Sequence, residues 1–90
     1  MSIEKSTRKG KKYMIRWNNK LIHFGSKGMS DYTIHKDPIR KKRYLNRHRP
    51  RENWNDPKTA GFWSRWILWN KPTSIQDNFK SIKKKLNRLK

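Results

Sequence analysis

The sequence predicts an α+β domain: an N-terminal β-hairpin packed on about three α-helices, with basic flexible arms at both ends. Three observations carry this. Two apolar-rich runs meet at Asn18-Asn19, Asp-Pro pairs stand at 37–38 and 56–57 ahead of helical patterns, and an apolar stripe runs from Ile75 to Leu89 at spacings of 4, 3, 4 and 3. A chain of 90 residues makes one domain, and one that small hides only about 60 per cent of its unfolded surface. The expected division is a basic arm over 1–10 and a single small domain over 11–90, with the hairpin at 12–24 and helices at about 38–49, 57–69 and 74–88.

The arm, MSIEKSTRKG, has only Ile3 as an anchor. In KYMIRWNNKLIHFG, asparagine tolerates the positive φ of a two-residue primed turn. That loop places Trp17 opposite Lys20, Ile15 opposite Ile22 and Tyr13 opposite Phe24 on one face. Met14 opposite His23 and Arg16 opposite Leu21 make a mixed, half-exposed second face, with His23 as a packing group. A two-stranded hairpin is marginal alone and must lay its aromatic face on helices.

Residues 25–33 read as a loop with two glycines. Asp37 then serves as an N-cap and Pro38 as the first helical residue, where its missing N–H costs nothing. Pro50 ends this helix by disfavouring a helical Arg49. Asp56-Pro57 repeats the start signal, and Phe62, Trp63, Trp66, Ile67 and Trp69 cover more than half the following cylinder, the pattern of a central buried helix. Leu68 falls on the remaining arc, and Trp63, Trp66 and Trp69 are expected in the core. Thr73 with Gln76 three residues on reads as a capping box for the last helix, which carries its stripe inward and Lys80, Lys83, Lys84 and Lys85 outward.

Charge carries the functional signal. Against 25 Lys and Arg stand 6 Asp and Glu, for a net charge of +19 and a pI near 11.0. Solubility of a small domain needs a charge of only about 2–8, so a polyanionic partner is expected, nucleic acid first. The first helix has no glutamate four residues from a lysine to form internal pairs. No apolar run reaches the ~20 residues that span a bilayer, and no signal-peptide core is present, so membrane insertion and secretion are not expected. The absence of cysteine excludes disulfides, iron–sulfur clusters and thiol nucleophiles.

The expected nucleic-acid ligands are Lys36, Arg40, Lys41, Lys42, Arg43, Arg47, Arg49, Arg51, Lys83, Lys84 and Lys85 on phosphates, with Trp54, flanked by Asn53 and Asn55, as the stacking residue. Trp17 is a lesser stacking candidate. The best polar cluster for an enzyme is Asp31, His35, Asp37, Arg47, His48 and Glu52. A nuclease would need about two or more carboxylates to hold a metal, and with Asp37 and Asp56 used as caps, Asp31 and Glu52 remain beside the histidines. The cluster reads as a hydrogen-bonded network pinning loop to helix, the protein as non-enzymatic, and no cofactor, metal or small-molecule substrate is expected.

Several motifs resemble a family of short basic proteins encoded by large nucleocytoplasmic double-stranded DNA viruses. They are His23-Phe24-Gly25, the run Asp31 to Asp37, Arg43-Tyr44 with Arg47-His48, Glu52 to Trp54, and Ala60 to Pro72. The resemblance covers about residues 11–86. It implies a virus of eukaryotic hosts and a location in the virion or a cytoplasmic or nuclear virus factory, and it transfers no catalytic residue. The expected function is therefore binding of nucleic acid, DNA ahead of RNA, through phosphate contacts in genome binding or packaging. The alternative expectation is a minor capsid or other structural virion protein whose basic surface cements acidic capsid components.

Overall fold

A computed structural model describes residues 2–88. The element order is β1 (Ile3–Lys5), β2 (Lys11–Trp17), β3 (Lys20–Ser26), α1 (Tyr32–His35), α2 (Pro38–His48), α3 (Ala60–Trp63), a π-helical turn (Ser64–Leu68) and α4 (Ile75–Arg88). An antiparallel sheet in the order β1-β2-β3 packs on the helices, which is the α+β architecture expected.

The hairpin register is as the sequence indicates: Tyr13 faces Phe24, Ile15 faces Ile22 and Trp17 faces Lys20. Asn18 and Asn19 both take positive φ, 47° and 66°, the conformation asparagine enters at low cost. The N-terminal arm is a correction. Ile3 pairs with Ile15 and Lys5 with Tyr13, so residues 3–5 form a third strand and extend the apolar row across the sheet. The connecting turn folds back: the Arg8 amide donates to Ser6 Oγ at 3.0 Å, and Ser6 Oγ lies 2.7 Å from His23 Nδ1. His23 is thereby buried, not half exposed. A third strand supplies what a marginal two-stranded hairpin lacks. At the other end, the expected fraying tail falls on residues 89–90, outside the described residues.

Residues 25–33 also differ from expectation. β3 runs on to Ser26, and Asp31 caps the short α1 by accepting from the Thr33 amide. Lys36 closes α1 in the left-handed region, φ 56°, and α2 follows at once with Asp37 accepting from the Ile39 amide and Pro38 in the first turn.

The tryptophan segment starts later than its Asp-Pro signal suggests. The Asp56 carbonyl accepts from Thr59 N and Thr59 Oγ1, making a turn, and Thr59 is the cap, accepting from the Phe62 amide. After one α-turn the chain widens, with the Trp69 amide donating to the Ser64 carbonyl five residues back at 3.1 Å. The extra residue in this turn rotates Leu68 inward beside Ile67, and both are buried. Trp63 is fully buried with Ile15, Phe24 and Ile67, whereas Trp66 and Trp69 are half-buried at the rim of the core. The last helix is capped by Ser74 Oγ, which accepts from the Asp77 amide, and not by Thr73. Thr73 Oγ1 instead donates to Asn78 Oδ1 at 3.2 Å. Phe79, Ile82 and Leu86 pack the helix onto the core. Among the described residues no helix is long and apolar enough to cross a membrane.

Candidate nucleic-acid interface

Local structure uses most of the acidic side chains. Asp31 is buried against Lys12 Nζ at 2.7 Å and also accepts from Thr33 Oγ1. Asp37 caps α2, Asp56 accepts from the Lys58 amide, Asp77 sits in the first turn of α4, and Glu52 accepts from Trp54 Nε1 at 3.0 Å. Among the described residues Lys12–Asp31 is the only ion pair joining a lysine or arginine to a carboxylate. Nearly all of the positive charge therefore faces water or a partner.

Of the expected ligands, Lys36, Arg40, Lys42, Arg43, Arg47, Arg49 and Arg51 are exposed from the end of α1 through α2 to the turn that follows it, and Lys84 and Lys85 are exposed on α4. Lys83 is half-buried, 6.0 Å over the Phe79 ring. Lys41 is turned to structure. Its Nζ donates to the Asn70 carbonyl and lies 5.0 Å over the Tyr32 ring. Burial, with the Arg65 charge added, lowers its pKa below the ordinary lysine value.

Trp54 is not a free stacking platform. Arg49 lies 5.8 Å and Arg65 5.4 Å from its ring centroid. Arg65 is also 4.4 Å over Trp66, which Lys85 approaches at 4.7 Å. The result is a continuous alternation, Arg49–Trp54–Arg65–Trp66–Lys85, running from the end of α2 across the loop and the π-turn to α4. Two hydrogen bonds hold it: Trp66 Nε1 donates to the Trp54 carbonyl at 2.8 Å, and Arg65 Nη1 to the Trp69 carbonyl at 3.0 Å. Each indole attracts a cation to its face, so the side chains lose little freedom on meeting phosphate. Burial lowers the Arg65 pKa from its ordinary value, with Arg49 pushing the same way and Tyr44 opposing. Arg65 and Trp66 are not among the residues expected here. The sign was the Arg65-Trp66 neighbour pair, which an assumed regular helix assigned to separate roles.

The polar cluster divides. His35 Nδ1 accepts from the Asp37 amide at 3.0 Å, beside α1. Asp31, Arg47, His48 and Glu52 come together with Lys12 and Tyr44 on the wall of a cleft of about 270 Å³ between the hairpin, α2 and α3. His48 Nδ1 is 3.5 Å from Glu52 Oε1, and its ring stacks on Tyr44 at 4.2 Å. Among the described residues no group of three or more His, Asp or Glu is placed to hold a metal.

A family of unknown function (DUF5754) matches residues 1–48, more than half of the 90-residue chain, a span that contains the sheet, α1 and α2. No curated protein and no solved structure matches the chain.

Proposed function

We propose that this protein, which belongs to the family DUF5754, binds nucleic acid without catalysis. It does so through phosphate contacts from the cation–indole ladder and the exposed basic residues of α2 and α4. The observation that carries the reading is the ladder, in which three cations are held by two indoles along one strip of a chain of net charge +19. Because arginines already lie on the Trp54 ring, its part is to position guanidinium groups rather than to stack bases. Such contacts give affinity with little sequence information. They suit a genome-binding or packaging protein in a virion or virus factory, with DNA ahead of RNA as partner.

A salt titration on a short duplex DNA, with single-stranded RNA and an acidic polypeptide as competitors, tests this. A steep linear fall of log affinity against log salt, with weak competition by the polypeptide, supports phosphate binding. Equal affinity for duplex and polypeptide refutes it.

One observation favours a second reading, a structural virion protein that cements acidic capsid components. Met29, Ile34 and Ile39 are 65%, 64% and 63% exposed, and Lys36 and Arg40 stand between and beside the two isoleucines in sequence. The acidic-polypeptide arm of the same titration separates the two readings.

A further inference from the structure

The cleft between the hairpin, α2 and α3 has features that the ladder does not explain. Its floor is closed by Asp31, Tyr44 and Leu68, which are 1%, 6% and 2% exposed, whereas Arg47 stands exposed at its rim. Its volume, about 270 Å³, lies at the lower edge of the ~300–1,000 Å³ typical of small-molecule sites, so it suits one nucleotide-sized group.

The lining carries both cations and a carboxylate. The Lys12–Asp31 pair is self-neutralised, which leaves Lys11 and Arg47 as cationic groups, with His48 and the Ser64 hydroxyl beside them. Glu52 lies against His48 in the same lining. Its Oε1 is committed to Trp54 Nε1 and His48, and its Oε2 lies where a Cβ on Gly61 would approach it to 2.6 Å. Only glycine at 61 leaves the carboxylate in that place. A bare inorganic anion would meet Glu52 as a like charge. A ligand that carries a phosphate and also a hydroxyl or amino donor satisfies the cations and the carboxylate together. The π-turn supports this placement, since it gives Ser64 and Leu68 to the cleft and Arg65 and Trp66 to the ladder. Such turns occur often at functional sites.

We propose that this cleft binds a nucleotide bearing a terminal phosphate monoester, with Lys11 and Arg47 on the phosphate and Glu52 accepting from a sugar hydroxyl or base amino group. A monoester carries about −1.5 to −2 charges near neutrality against one for an internal phosphodiester, so the site prefers strand ends. The end-binding form rests on the nucleic-acid reading above; binding of a free mononucleotide does not.

The test uses the full chain with adenosine monophosphate, adenosine and inorganic phosphate as separate probes, followed by amide chemical shifts. A second arm uses an oligonucleotide with and without a 5′-phosphate. Saturable shifts at Gly25, Ser26, Gly61 and Ser64, with the monophosphate at least tenfold tighter than adenosine or phosphate, support the site. A tenfold preference for the phosphorylated strand identifies the ligand as a strand end, and its absence alongside mononucleotide binding identifies a free nucleotide. Arg47→Ala and Lys11→Ala each reduce either preference severalfold, whereas Arg16→Ala, on the sheet face turned away from the core, leaves the ratio intact. The proposal is overturned if both arms show no preference for the monoester, or if neither Arg47→Ala nor Lys11→Ala changes it. If strands with and without the end phosphate both fail to bind while the mononucleotide fills the cleft, the ladder reading fails and the cleft stands.

Discussion

The rings of Tyr44 and Trp69 lie parallel within 4°, their centroids 4.2 Å apart. His48 stacks on Tyr44 at 4.2 Å and His35 lies against Trp69 at 5.3 Å. This column of rings is the main joint between α2, in which Tyr44 is the only buried residue, and the rest of the fold. Tyr44→Ala should remove about 3 kcal/mol, the usual cost of deleting a buried aromatic ring. Hydrogen exchange should show the amides of α2 losing protection before those of β2 and β3. Tyr44→Phe keeps the stack and should cost less than about 1.5 kcal/mol.

Asn78 is a buried polar residue with a full set of partners. Its Nδ2 donates to the Ile67 carbonyl at 2.8 Å and the Lys71 carbonyl at 3.0 Å, satisfying backbone acceptors at the end of the π-turn. Asn78→Ala leaves the buried Ile67 carbonyl without its donor, at about 1–3 kcal/mol, and the more exposed Lys71 carbonyl at less. A clear drop in the urea midpoint is expected. An unchanged midpoint would mean that water replaces the amide.

Gly25 takes φ +79°, and a Cβ there would come within 2.8 Å of Leu68 Cδ1 and 3.2 Å of Lys12 Cβ. Gly25→Ala adds left-handed strain of about 1–2 kcal/mol to that clash. A loss of about 2 kcal/mol or more is expected from denaturant unfolding, and Gly28→Ala, with open space around it, should lose less.

Burial first, and the neighbouring Glu52 second, push the Tyr44 phenol well above its ordinary value; Arg65 and Arg47 oppose this in part. Tyr13 is raised in the same direction, chiefly by burial. A raised phenol is protonated in both states below about pH 10. Above that pH the unfolded chain releases the proton while the folded one keeps it, so stability falls as pH rises. Unfolding midpoints measured at about pH 9 and about pH 11 should differ less in Tyr44→Phe than in the wild type.

Local signals were legible wherever one residue's chemistry decides the backbone. Asn18-Asn19 fixed the hairpin register and Asp37-Pro38 the start of α2, because positive φ and an absent N–H are properties of those residues themselves. The third strand was hidden because three residues, Ile3–Lys5, show no period of their own; only pairing with β2 creates it. Asp56-Pro57 misled because an aspartate caps a turn as well as a helix. The π-turn broke the 3.6-residue spacing that placed Leu68 outside. The ladder was beyond a linear reading for a related reason: Arg49 and Trp54 lie well before Trp66 and Lys85 in sequence, and the four meet only after α2, the loop and α4 have docked.

Phosphate contact by the ladder is read out by the salt dependence of duplex binding in Arg49→Ala and Lys85→Ala, compared with Arg16→Ala. Arg49 and Lys85 are the two ends of the ladder, whereas Arg16 is exposed on the sheet face turned away from the core. Each ladder variant should lower the slope of log affinity against log salt by about one, the loss of one phosphate contact, while Arg16→Ala leaves it unchanged. Equal slopes in all three variants and the wild type would contradict the account.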